Sequence, residues 1–177
     1  DPVRLRKRTR PLPVTYEWNG RRHTLEDFLT RSGTQGFVVL DGRTIVAERY
    51  RGATRHTRFQ SWSMAKSFTA TAVGIALAEG RIAGIDDPVT DYVPELKRSG
   101  YAGVSIRDVL RMSSGIEWDE NRDVPLLHAG AAFGASVERM AARQRRGWEP
   151  GSRFEYTSVN SFVLAWVVAR ATGMPFH

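Results

Sequence analysis

Residues Phe162 to Ala169 read FVLAWVVA, eight successive apolar residues. Coiled as a helix, that run is apolar on every side, and it needs cover all round. Residues 68 to 78, FTATAVGIALA, are nearly as apolar and crowded with small side chains, so whatever packs on them must come close. Neither run reaches the roughly 18 apolar residues of a membrane span. The cover therefore has to be protein.

The strands that could supply it are few. GFVVLDGRTIVAERY, residues 36 to 50, reads as a β-hairpin: two β-branched apolar runs about Asp41-Gly42. One hairpin is marginal by itself. Two buried helices with so little sheet predict that part of the fold lies outside these 177 residues.

Elsewhere the chain divides readily. Residues 1 to 14 read as a basic extended arm. Ser61 or Ser63 opens a helix that runs to about Glu79 and stops at Gly80. IDDPVTDYVPEL reads as a loop with a short turn, and Ser105 caps a brief helix, SIRDVLRM. Residues 119 to 134 read as a polar, Gly-rich surface excursion, and SVERMAARQRRG as a solvent-facing helix from 136. WEPGSRFEY reads as a turn with a short extended piece, and the last helix closes at Gly173.

The net charge of +7 concentrates in the arm (Arg4, Arg6, Lys7, Arg8, Arg10) and in RQRRG at 143 to 147. With no aromatic residues interleaved and no nucleic-acid motif behind them, these clusters read as a solvated arm and an Arg-rich helix end, not a nucleic-acid surface. The absence of cysteine excludes disulfides and thiolate chemistry without fixing a compartment. The opening DPVRLRKRTRPLP, with neither initiator Met nor signal-peptide pattern, reads as a trimmed or processed start. His23, His56, His128 and His177 show no metal-ligand spacing, GIALAEG lacks the Lys-Ser/Thr of a phosphate loop, and no cofactor is implied.

Chemistry is suggested at FQSWSMAKSFT, residues 59 to 69. Ser63 and Lys66, three apart, share a helix face. A nucleophilic Ser63 would sit where the first helical N–H groups lack intrahelical partners and can steady an oxyanion. Lys66 would serve as base in its neutral form, which burial against Trp62 and Phe68 would favour. The competing reading is a structural ion pair from Lys66 to a core carboxylate such as Asp87. Downstream, in PGSRFEYTSVNS, the phenol of Tyr156 could relay a proton between a serine hydroxyl and a leaving group; by itself it also reads as a tyrosine packed where a helix begins. Asp119 and Glu120, with Trp118, read as surface carboxylates, with approach to a cleft as the alternative.

Taken together, SMAK, VLRMSSGI and PGSRFEYTS followed by an apolar helix ending in ATG resemble the serine β-lactamase-like, penicillin-recognising superfamily in its class C-like branch. The 6-aminohexanoate-dimer hydrolases, the nylon-oligomer hydrolase type, are the nearest likeness, over roughly residues 34 to 177. The resemblance implies an α/β (α+β) fold with an antiparallel sheet flanked by helices and a helical region beside it. It implies a serine hydrolase acting on a small linear amide or ester. Ser63 matches the acylated nucleophile, Lys66 its base, Tyr156 the catalytic tyrosine, and the Ser63 N–H one half of the oxyanion hole; losing one such donor costs about 10²- to 10³-fold in rate. Trp62 and Ser158 are then substrate-binding positions.

Two departures qualify the match. Many class C enzymes carry Tyr-x-Asn, whereas here the third position is Ser158, which disfavours β-lactam hydrolysis and favours an esterase or linear amidase. Asn160 lies two residues further on and is expected to point elsewhere. The Lys/His-Thr-Gly-like strand that supplies the second oxyanion N–H is not among these residues. Residues 15 to 177 thus read as the N-terminal portion of a larger hydrolase domain, and a non-catalytic module completed by another segment is the alternative.

Overall fold

A computed structural model describes residues 4–176. The chain forms two compact units, Asp1–Gln60 and Ser61–His177.

In the first unit, residues 4–14 are extended, with a short strand β1 (Arg6–Lys7). Two hairpins follow. Strands β2 (Thr15–Trp18) and β3 (Arg21–Thr24) pair antiparallel about Asn19-Gly20, both at positive φ (50° and 69°). Asn-Gly is the dipeptide that tolerates this best, because tight hairpin turns need left-handed residues. Helix α1 (Leu25–Arg31) starts in a capping box: Thr24 accepts from the Asp27 N–H while Asp27 accepts from the Thr24 N–H. The expected hairpin forms as β4 (Gly36–Asp41) and β5 (Thr44–Tyr50), with a register shift at Val39/Leu40. β1 lies parallel to β5, giving the order β1-β5-β4. The arm's basic side chains stay exposed, and two find partners: Lys7 pairs with Glu48 at 2.5 Å and Arg10 with Asp41 at 3.2 Å.

The second unit is helical. A short 3-10 turn (Trp62–Met64) leads into α2 (Ala65–Ala78). Then come α3 (Val89–Tyr92), a 3-10 turn over Pro94–Arg98, α4 (Ile106–Leu110), α5 (Glu120–Ala132), α6 (Val137–Ala141) and α7 (Ser158–Thr172). Helix α7 is central and packs on α2, α3, α4 and α6. Val159, Asn160, Val163, Leu164, Val167 and Val168 form its buried stripe. Of the apolar run, Val163, Leu164, Val167 and Val168 are buried, while Phe162, Ala165, Trp166 and Ala169 are only partly covered. Gly173 (φ 70°) ends it in the left-handed conformation expected of a helix C-terminus.

Helix α2 departs from expectation. Thr69, Val73 and Ala76 are buried on the α7 side, but Phe68 (74%) and Ile75 (54%) are exposed. Small residues bring the two helices together on one face, and the opposite face is open. Residues 119 to 134 also differ: they form helix α5, capped by the Asp119 carboxylate accepting from Asn121 N and Arg122 N. Its Pro125 and Gly130 hid it in the sequence, although it lies on the surface, with no buried residue. The helix expected from 136 is only five residues long. The basic run after it is partly structural, since Arg146 donates to the carbonyls of Gly100 and Ala102.

Two tight contacts join the motif segments. The Gly115 carbonyl accepts from Gly147 N and Trp148 N. A Cβ added at Gly115 would lie 2.2 Å from the Trp148 carbonyl oxygen, at a φ of +75°. Asn160, fully buried, accepts at Oδ1 from Tyr101 Oη (2.7 Å) and Ser114 Oγ (2.9 Å). Burial pushes the Tyr101 phenol well above its ordinary pKa, so it remains a donor.

Asn160→Ala leaves both hydroxyls enclosed without that acceptor, at about 1–3 kcal/mol for each orphaned group; urea denaturation is expected to show a loss of about 2–4 kcal/mol. Gly115→Ala adds strain to a backbone collision and is expected to cost about 2 kcal/mol or more by the same measurement.

Candidate active site

Ser63 stands in the 3-10 turn that precedes α2. The turn is unusual: Trp62 has φ +45°, a left-handed conformation that is rare for a bulky side chain and costs of order 1–3 kcal/mol. Ser61 flanks the turn and makes no side-chain cap, so neither serine caps the helix as a conventional helix start would have it.

Lys66, one turn on, donates from Nζ to Ser63 Oγ at 2.9 Å. The same nitrogen lies 5.2 Å from the centre of the Tyr156 ring. Ser63, Lys66 and Tyr156 are thus brought together. The competing partner is engaged elsewhere: Asp87 Oδ2 accepts from Gly84 N (2.9 Å) and Tyr92 Oη (2.6 Å). The expected apolar shielding is not present, because Trp62 is 72% exposed and Phe68 is open as well. Both rings are available to cover a bound molecule but do not enclose the amine.

The segment carrying Tyr156 is held by its neighbours in sequence. Glu155 N donates to Met112 O (2.7 Å), and Gly151 N to Ser113 O (2.8 Å). Thr157 is buried, its hydroxyl donating to Glu155 O. Tyr156 itself is 38% exposed. Asn160, as expected, points into the core and is not part of the site. The short extended piece before Tyr156 makes no ladder pairing.

Ser158 is the first residue of α7, whose N-cap Thr157 makes no side-chain cap bond. Glu120 fills that role. Its Oε2 accepts from Ser158 N at 3.2 Å and from Trp118 Nε1 at 2.6 Å, and its Oε1 accepts from Ser158 Oγ. Glu120 is therefore not a plain surface carboxylate. No local pattern links positions 120 and 158, so the sequence carried no signal for this contact.

Among the described residues no helix is long and apolar enough to cross a membrane. At the head of α2, Met64 N donates to Ser61 O, and Ala65 N to Ser63 O and Trp62 O. The arrangement sets a hydroxyl, an amine and a phenol ring side by side.

The chain is similar to known proteins over most of its length. The family model described as Beta-lactamase matches residues 21–177. The 6-aminohexanoate-dimer hydrolase of Paenarthrobacter ureafaciens is 36% identical over 169 residues, covering 86% of this chain and 42% of the relative. A beta-lactamase of Pseudomonas fluorescens is 25% identical over 127 residues, covering 70% of this chain and 33% of the relative. Among solved structures, one assigned as a 6-aminohexanoate-dimer hydrolase from Bacillus anthracis superposes with a TM-score of 0.81 at 22% identity, over 96% of this chain and 49% of that one. A class C beta-lactamase superposes at 0.66 and 21% identity, over 86% of this chain and 43% of that one. The chain thus spans about half the length of these relatives or less. With its SMAK helix, its tyrosine segment and the fold that joins them, the chain belongs to the beta-lactamase family and has the β-lactamase/transpeptidase-type α/β fold.

Proposed function

We propose that this chain carries the attacking half of a serine hydrolase that cleaves a small linear amide or ester through an acyl-enzyme on Ser63. The observation that carries the reading is the Lys66 Nζ to Ser63 Oγ contact of 2.9 Å, made beside the Tyr156 ring. Membership of a hydrolase family supports it.

A neutral Lys66 amine at this separation accepts the Ser63 hydroxyl proton as Oγ bonds to the substrate carbonyl carbon. The carbonyl oxygen becomes an oxyanion, faced by the Ser63 N–H. Collapse breaks the bond to the leaving nitrogen or oxygen, which takes a proton through Tyr156. Water then adds to the ester on Ser63, giving its proton to the same base. The carboxylic acid departs and the Ser63 hydroxyl is restored.

Ser158 and Trp62 are proposed to touch the substrate: one as a short polar group two residues beyond Tyr156, the other as an exposed ring beside Ser63. With Ser158 where a Tyr-x-Asn motif has asparagine, β-lactams are disfavoured relative to linear substrates. That makes β-lactamase or D-alanyl-D-alanine carboxypeptidase activity the lesser possibility within the enzyme reading. A second reading is favoured by the open face of α2: the unit binds or reacts only when another segment completes the cleft. Treating the chain alone, and the chain together with a segment that completes the cleft, with a fluorophosphonate separates the two.

Fluorophosphonate is expected to label the natural protein at Ser63, as read by peptide mass spectrometry. Labelling that persists in Ser63→Ala would sink the assignment. Tyr156→Phe keeps the ring beside Lys66 but removes the phenolic proton; kcat is expected to fall about 10²- to 10⁴-fold. Nitrocefin turnover faster than turnover of a linear amide or ester would overturn the substrate class.

A further inference from the structure

Glu120 does more than hold the start of α7. Three donors converge on its carboxylate: the backbone N–H and the hydroxyl of Ser158, and the indole N–H of Trp118. Trp118 is buried (6% exposed), so one side of the carboxylate is fixed to the core. An ionised carboxylate only accepts. The single proton of the Ser158 hydroxyl is therefore committed to Glu120, and what remains on Ser158 Oγ is lone pairs.

We infer that Glu120 is a positioning residue that fixes the Ser158 hydroxyl as a hydrogen-bond acceptor toward substrate, and so biases the Ser63 site toward substrates presenting an N–H, amides over esters. This rests on the hydrolase reading above and narrows its substrate class. An amide N–H has a partner in such an oxygen, whereas an ester offers no donor. A Ser158 whose proton were free could turn it toward an ester oxygen as readily as it accepts from an amide N–H, and the preference would be lost.

Glu120→Gln separates polarity from anchoring. With its amide nitrogen toward Ser158 Oγ, the glutamine donates to that hydroxyl, while its oxygen still accepts from Ser158 N and Trp118 Nε1. The opposite orientation places the amide nitrogen against two donors, so the first prevails. The helix anchor survives and the Ser158 proton is released. Glu120→Asp keeps acceptor-only chemistry on a shorter arm.

The test measures kcat/KM in the natural protein for 6-aminohexanoate dimer and for the p-nitrophenyl ester of 6-aminohexanoate, with fluorophosphonate labelling of Ser63 in parallel. E120Q is expected to lower the amide-to-ester ratio about tenfold, the worth of one hydrogen bond. S158A is expected to lower it to the same extent, and the double variant no further. E120D is expected to keep the ratio even where both rates fall. Equal loss on both substrates in E120Q would reduce Glu120 to a helix anchor. E120Q and S158A effects that multiply, or a labelled parent that cleaves the ester but no amide, would also overturn the inference while leaving the Ser63 assignment standing. A parent that is not labelled at Ser63 sinks the hydrolase reading and this inference with it.

Discussion

The amide side chain of Asn160 is enclosed in the first turn of α7, and its one carbonyl oxygen accepts from Tyr101 and Ser114. That oxygen joins three stretches distant in sequence: the loop before α4, the Ser113-Ser114-Gly115 turn, and the helix that follows Tyr156. An apolar core alone specifies burial but not register, since Val and Leu side chains tolerate sliding. Two directed hydroxyls on one acceptor do not. The α7 start is thereby fixed against the Ser113–Ser114 turn, and the Tyr156 segment inherits that placement through backbone bonds to Met112 and Ser113.

The Ser63, Lys66 and Tyr156 cluster in the helical unit is layered on this frame. Lys66 and Ser63 need only the local repeat of a helix to meet. Tyr156 needs the long-range frame, because it lies beyond a loop that has no ladder of its own. Glu120 closes the arrangement from a surface helix, α5, that buries none of its own residues. The site thus combines an autonomous pair with a tyrosine whose segment is held by backbone bonds to Met112 and Ser113, ahead of a helix start that Glu120 anchors through Ser158.

What was legible in the sequence follows the same division. The Ser63–Lys66 pair, the β4–β5 hairpin about Asp41-Gly42, the Ser105 cap and the Gly173 stop are all written within a few residues, and they are read off directly. The β2–β3 hairpin was legible too, since Asn19-Gly20 announces it, but its flanks are polar and charged and so escape a search for apolar strands. Helix α5 was hidden by Pro125 and Gly130. The roles of Glu120 and Asn160 could not be seen, because each depends on partners 38 to 59 positions away. The exposed side of α2 was missed for a related reason: apolar composition says that a helix wants cover, not how much of it this unit supplies.

The close approach of Gly115 to the Trp148 carbonyl has a bearing on how such a chain can vary over time. With no room for even a methyl group, the two segments are bound in length as well as in composition, and a one-residue insertion in either would shift both against the core. The turn after helix α5, residues 133–135, is exposed and can lengthen or shorten more freely than the helix itself, whose Val124 and Leu127 rest against the core. Diversity among proteins built this way should therefore accumulate as changes of loop length at positions 133 to 135, while the spacing of the tyrosine segment stays constant.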